Sequence, residues 1–328
     1  MIQHLLRLYL RMLRYRVAAM IWMFMLLASA YHGGLQSFRW AYLWATIALA
    51  SSYVAATTVN DVADREIDTV NHPLDRGRPL VSGEATERDL YLVHVLAAGA
   101  ALGSATTIGP AGLALVALSL AIGLGYSLGP VRLSHRTYLA PLMLAVAYVV
   151  IPYSLGIVAA GASPSGKDAL FGGALFALFL ARINLKDFRD REGDARYGRP
   201  TLLLRFGKSI ACFVSLAALA AGDALLLAAL NPPTALVVLI EVFVAGIGWM
   251  LYVLWRSDEA RGEQVAIGIG AKMGNGLLIT VLAWLILAGL GATLRDRLVL
   301  AVTLTALFAF ASWALVTRPD DVVVGYKG

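Results

Sequence analysis

The chain has 328 residues, 59% of them hydrophobic and 15% charged, with a mean hydropathy of +0.72. Soluble domains run near 45–50% apolar, so a water-soluble globule of this size has no place to hide the excess. The single cysteine, Cys212, excludes an internal disulfide framework and any cysteine-based metal cluster. The formal charge of +6 does not call for nucleic acid, because topology accounts for it.

The apolar excess falls into ten runs, at about 17–34, 40–58, 89–108, 110–128, 138–160, 167–185, 209–230, 234–255, 268–291 and 297–316. Runs of this length cross a hydrocarbon core about 30 Å thick. They predict an all-α, polytopic membrane bundle of nine or ten transmembrane helices. Of the 27 Lys and Arg, 23 fall with the N-terminus and in the loops after the even-numbered spans or at the span ends beside them, and 4 fall on the other side. The positive-inside rule makes the 23-charge side cytoplasmic. Residues 1–16, with Arg7, Arg11 and Arg14 on one helical face, read as an interfacial helix ahead of a retained first span. A signal peptide ending at Ala28-Ser29-Ala30 is the competing reading.

An internal repeat marks the site. The end of span two reads Asn60-Asp61-Val62-Ala63-Asp64-Arg65-Glu66-Ile67-Asp68, and the end of span six reads Lys186-Asp187-Phe188-Arg189-Asp190-Arg191-Glu192-Gly193-Asp194. Asp-Arg-Glu-x-Asp thus recurs four spans later. An even offset makes the two copies parallel, with a site expected between them. Asn60, Asp64 and Asp68 recur every four residues and stack on one face of a helix. Asp187, Asp190 and Asp194, at i, i+3 and i+7, do the same.

Facing rows of carboxylates repel unless a cation sits between them. Mg²⁺ takes one or two carboxylates together with substrate phosphates. Two such rows at the mouth of an apolar cavity point to a Mg²⁺-bridged diphosphate carried on a lipid tail. The alternative is a pair of solvated loops whose acids pair with Arg65, Arg189 and Arg191.

Other cytoplasmic groups extend this set. Arg76 and Arg78 follow the first row, and arginine grips phosphate oxygens two at a time. Tyr126 and Arg132 follow the end of span four. Lys186 precedes the second row. Lys272, with Asn275, opens span nine within a stretch of four glycines that permits close backbone approach or a local break. Lys272 is a candidate diphosphate contact, the plainer reading being a snorkelling lysine. Tyr148 and Tyr153 on span five are candidates for an aromatic wall. Asp223 and Glu241 are placed to meet across the Asn231-Pro232-Pro233 turn on the opposite side, where at least one is expected to hold its proton. Their structural reading is a hydrogen bond pinning two helices.

These motifs resemble those of the UbiA superfamily of intramembrane prenyltransferases. Asn60, Asp64 and Asp68 match its Asn-x-x-x-Asp-x-x-x-Asp motif. Asp190 and Asp194 match its Asp-x-x-x-Asp motif, with Asp187 as an extra upstream acid, and Arg78 to Gly83 match its Arg-Pro-Leu-x-x-Gly run. The resemblance implies helices around a central apolar cavity in a domain over residues 17–291, with 292–328 adding a tenth helix and a tail. It implies Asp64, Asp68, Asp190, Asp194 and Tyr126 as catalytic residues, and Asn60, Asp64, Asp68, Asp187, Asp190 and Asp194 as metal ligands. Asn60, Arg76, Arg78, Arg132, Lys186 and Lys272 would hold the diphosphate. The implied reaction is Mg²⁺-dependent transfer of a prenyl group to a lipophilic or aromatic acceptor, in a bacterial or archaeal cell membrane. One departure is that Pro130 stands where many members have a lysine four residues after the tyrosine, which leaves Arg132 to replace it.

Two rivals share parts of this pattern. A membrane terpene cyclase would use the same acids without an external acceptor. A transporter would carry ionisable groups through the midplane, whereas here the acids gather at one face.

Overall fold

The computed structural model describes residues 2–73, 75 and 77–317, and among these the secondary structure is helical throughout. A short amphipathic helix α1 (Ile2–Met12) meets α2 (Tyr15–Tyr31) at a 63° bend. Arg14 makes the corner in a left-handed conformation, at φ 40°. α1 turns Leu8 and Met12 toward the protein and leaves Ile2, Leu6 and Leu10 exposed.

The first repeat continues with α3 (Trp40–Ala63), the short α4 (Arg65–Asn71), α5 (Glu87–Thr106) and α6 (Pro110–Ser127). The second opens with α7 (Leu139–Ala145), a π-helical turn (Val146–Val150) and α8 (Ile151–Ala160), which together form one span. It proceeds through α9 (Gly166–Ile183), the short α10 (Arg191–Arg196), α11 (Leu202–Leu230) and α12 (Thr234–Arg256). α13 (Ala260–Gly289) and α14 (Leu294–Thr317) complete the bundle. Nine helices among the described residues are long and apolar enough to cross a membrane, or ten if the bent α1–α2 pair is one span.

The repeat is visible in the packing. α3 lies along α5 as α9 lies along α11, and α2 packs on α8, its own equivalent. α4 and α10, which follow α3 and α9, also touch each other, so the two halves meet at the end carrying both acidic rows.

Several elements differ from their sequence readings. α11 begins at Leu202, seven residues early, and absorbs a break at Gly207 (φ 80°). α13 begins at Ala260 and runs unbroken through the glycine-rich stretch. The glycines serve close approach instead: a Cβ on Gly276 would meet Phe243 and Phe308 at 2.6 Å. α14 packs on α13 and α12. At the opposite end of the bundle Asp223 and Glu241 lie close enough for their charges to interact.

Candidate active site

Both acidic rows straddle a helix break. α3 ends at Ala63, Asp64 leaves helical geometry (φ −103°, ψ 13°), and α4 restarts at Arg65. Asp190 precedes α10 with similar torsions, φ −94° and ψ 7°, although a 3₁₀ turn (Asn184–Phe188) carrying Asp187 separates it from α9. The expected single helix over 60–68 is therefore two, although the backbone ladder continues through the joint. The N–H of Asp64 donates to the Asn60 carbonyl, and that of Asp68 to the Asp64 carbonyl, both at 2.8 Å. The four-residue stacking survives.

An aspartate preceding a helix ordinarily turns its carboxylate onto the helix's own N–H groups. Neither Asp64 nor Asp190 makes a capping bond. Both instead line one cavity of about 270 Å³, together with Asn60, Asp68 and Asp194. Asp64 Oδ1 and Asp194 Oδ1 are buried without a hydrogen-bond partner. Oxygen atoms left this way are a donor set suited to a hard cation. No three acids or histidines among the described residues converge on one point, so a cation held here would need oxygens from elsewhere.

Cations ring the acids. Arg199 Nη1 lies 3.2 Å from Asp64 Oδ2 and 3.6 Å from Asp194 Oδ1, bridging the rows. Arg78 pairs with Asp68 and lies 3.5 Å from Asp61 Oδ1. Lys186 Nζ donates to the Tyr126 hydroxyl at 3.2 Å, and both residues line the cavity. His72 Nε2 stands 3.2 Å from Asp190 Oδ1.

Burial pushes the Asp68 carboxyl up to about 8, with Asp61 and Asp64 adding to the rise and Arg78 opposing it. Burial, Asp190 and Asp64 take Asp194 up to about 6, against Arg199. Burial also opposes ionisation of Asp190, but the His72 contact and the charges of Arg189 and Lys186 overcome it and hold Asp190 below the usual carboxylate range.

A second, largely apolar cavity of about 180 Å³ adjoins the first and shares Asn60, Tyr126, Tyr148 and Lys186 with it. Tyr148 is carried on the π-helical turn, the kind of bulge that often re-aims a functional side chain. Its ring meets those of Tyr53 and Phe179 edge-on, at 5.8 and 6.0 Å.

Other sequence candidates are placed elsewhere. Arg132 faces a separate surface pocket with Arg65, His135 and Tyr197, so the cation beside Tyr126 comes from Lys186 on the other repeat. Asp187 lines a small side cavity rather than the main one. On α13, Ile267, Gly270 and Ala271 line the main cavity and Lys272 does not. Asn275 accepts from Arg182 Nη1 at 2.9 Å. Tyr153 donates to Asp168 Oδ1 at 2.7 Å, away from both cavities. Arg76 lies outside the described residues.

Local sequence pattern does not single out Arg199, His72 or Arg14 for this site. Arg14 lines both cavities and pairs with Asp61. Its place among the basic residues of an N-terminal segment gives no separate signal.

This is the fold of an intramembrane prenyltransferase family. A sequence model of the UbiA prenyltransferase family matches residues 17–276, and the chain belongs to that family. It is 27% identical to the 33 kDa chain of bacteriochlorophyll synthase from Rhodobacter capsulatus, over 68% of this chain and 75% of that one. It is 32% identical to digeranylgeranylglyceryl phosphate synthase from Methanopyrus kandleri, over 52% of this chain and 60% of that one. The match to the 34 kDa bacteriochlorophyll synthase chain of Chloroflexus aurantiacus, at 28% identity, spans 47% of this chain and about half of that relative's length (48%). The fold superposes on a UbiA homologue from Archaeoglobus fulgidus solved with GPP and Mg²⁺, with a TM-score of 0.57 and 20% identity, over 94% of this chain and 99% of that one. A structure described for digeranylgeranylglyceryl phosphate synthase gives a TM-score of 0.65 at 16% identity, covering 86% and 99% of the two chains.

Proposed function

We propose that this chain transfers a prenyl group from a polyprenyl diphosphate to a lipophilic acceptor inside the membrane, with Mg²⁺ as cofactor. The observation that carries the reading is the release of Asp64 and Asp190 from helix capping at two equivalent breaks, so that both carboxylates enter one cavity. Oxygens drawn from Asn60, Asp64 and Asp68 of one repeat and from Asp190 and Asp194 of the other, one or two at a time and completed by the diphosphate's own oxygens, would hold Mg²⁺. When bound, it would neutralise charge on the diphosphate oxygens.

The chain's own groups do the rest. Arg78, Arg199 and Lys186 supply positive charge at the cavity, and the Tyr126 hydroxyl, already accepting from Lys186, is free to donate its proton to a phosphate oxygen. Charge of this kind favours departure of the diphosphate and leaves an allylic cation on the prenyl carbon. The adjoining apolar cavity takes the chain and keeps water from quenching that cation. The face of Tyr148 stabilises it, at about 0.5–2 kcal/mol for one ring. A nucleophilic carbon or oxygen of the acceptor then forms the new bond and gives up a proton.

The test is incubation of purified protein with Mg²⁺ and prenyl diphosphates of several chain lengths, with and without acceptors of the quinone-precursor, chlorophyll-type and glycerophosphate classes. Products are identified by mass spectrometry. An acceptor-linked product supports the reading. A cyclised hydrocarbon formed without acceptor would replace it with cyclase activity.

A further inference from the structure

α10 is only six residues long, and Asp190 leaves its first turn uncapped. The Gly193 N–H in that turn donates instead to Asn71 Oδ1 at 2.7 Å, across 122 residues of sequence. Asn71 is the last residue of α4, in the other repeat. The next residue, His72, reaches Asp190 itself. α4 carries Asp68 and starts from Asp64, while α10 carries Asp194 and starts from Asp190. The two rows are thus joined through a backbone N–H as well as through the ion pairs of Arg199. A Cβ on Gly193 would meet the Asn71 amide at 2.7 Å, so a side chain there would push that amide aside.

We propose that Asn71 is a positioning residue: by capping α10 from α4 it sets the separation of the two acidic rows and leaves the Asp190 carboxylate to the cavity. The proposal rests on the Mg²⁺-diphosphate reading above. A donor set shared between two helices must hold its geometry within about 0.5 Å to bind a cation demanding near-octahedral ligands. The Asn71–Gly193 bond joins α4 directly to α10 and is neutral, so it fixes their spacing without competing for the charges of the site. Asn71 also lines the cavity, so direct contact with the ligand is the competing explanation. The Mg²⁺ requirement separates the two, because a lost ligand contact weakens the analogue without changing Mg²⁺ half-saturation, whereas a changed spacing of the rows raises it.

The experiment measures Mg²⁺-dependent binding of the unreactive analogue geranyl S-thiolodiphosphate to the full chain in lipid nanodiscs, by titration calorimetry. Thermal unfolding is followed in parallel. Asn71→Ala and Gly193→Ala should each weaken analogue affinity roughly two- to thirtyfold, the range for loss of a helix cap. Each should also raise the Mg²⁺ concentration needed for half-saturation, with stoichiometry as in the wild type. The double variant should be no weaker than Asn71→Ala alone, because that substitution already removes the amide that a Cβ at position 193 would strike.

A fall in analogue affinity for Asn71→Ala with a wild-type Mg²⁺ half-saturation concentration would overturn the proposal in favour of direct contact. Additive losses, or reduced stoichiometry and melting temperature with unchanged affinity, would overturn it in favour of a merely structural bond. Wild-type protein that shows no Mg²⁺-dependent binding would instead overturn the diphosphate reading on which the proposal rests.

Discussion

Arg14 and Asp61 form a buried ion pair, with Nη2 of the arginine 2.7 Å from Oδ1 of the aspartate. The pair ties the corner between α1 and α2 to the last turn of α3. Spacing alone turns Asp61 about 100° away from Asn60 and makes it the least consequential acid of its motif. The structure gives it a different task. Asp61→Ala leaves the Arg14 charge buried beside a second cation, Arg78, and should cost about 3–5 kcal/mol of stability. Thermal unfolding in detergent checks this. A melting temperature equal to wild type would contradict it.

Asp64 and Asp190 should behave in the opposite way. Their carboxylates line a cavity, and truncating them opens no gap in the apolar core. Asp64→Ala or Asp190→Ala is expected to abolish product formation while the protein still inserts and folds, with a smaller drop in melting temperature than Asp61→Ala because Arg199 keeps Asp194 as a partner. Turnover by mass spectrometry, read beside the melting curve, distinguishes these variants from Asp61→Ala.

Arg199 is the group that reaches both rows, and it also donates through Nε to the Ser134 carbonyl at 3.3 Å. Lysine keeps the charge but not the fork that allows three partners at once. Arg199→Lys should lower turnover roughly ten- to a hundredfold, the worth of one or two charge-assisted hydrogen bonds. Steady-state kinetics at saturating Mg²⁺ would measure it.

Burial raises Asp68 to about 8 and Asp194 to about 6, so both hold protons that an unfolded chain would have lost near pH 4. The folded state then binds more protons than the unfolded one across this window, and the stability of metal-free protein should fall as pH rises from about 4 to about 8. Mg²⁺ needs the ionised carboxylates, so it competes with those protons. The rise in melting temperature on adding Mg²⁺ should be larger at about pH 8 than at about pH 6, and EDTA should remove it. A rise independent of pH would argue against these two acids as ligands.

Much of the site was legible in the sequence because its information is local. Asn60, Asp64 and Asp68, like Asp190 and Asp194, declare a shared face through a three- or four-residue spacing that any helical backbone imposes. The transmembrane runs are legible for a similar reason, since the bilayer sets their length and apolar character. The repeated Asp-Arg-Glu-x-Asp even pointed to two halves facing each other. What local spacing does not carry is which distant groups complete the site. Tyr126 finds its cation in Lys186, 60 residues on, and not in Arg132, six residues on. Arg14 meets Asp61, Arg199 spans both rows, and Asn71 caps Gly193, all across stretches of chain that meet only when the helices dock. Those choices depend on how α4 docks on α10, on the breaks at Asp64 and Asp190, and on the bend at Arg14. Each of these is decided by packing, where burial of apolar surface and satisfaction of buried charge outweigh the preferences of any short segment.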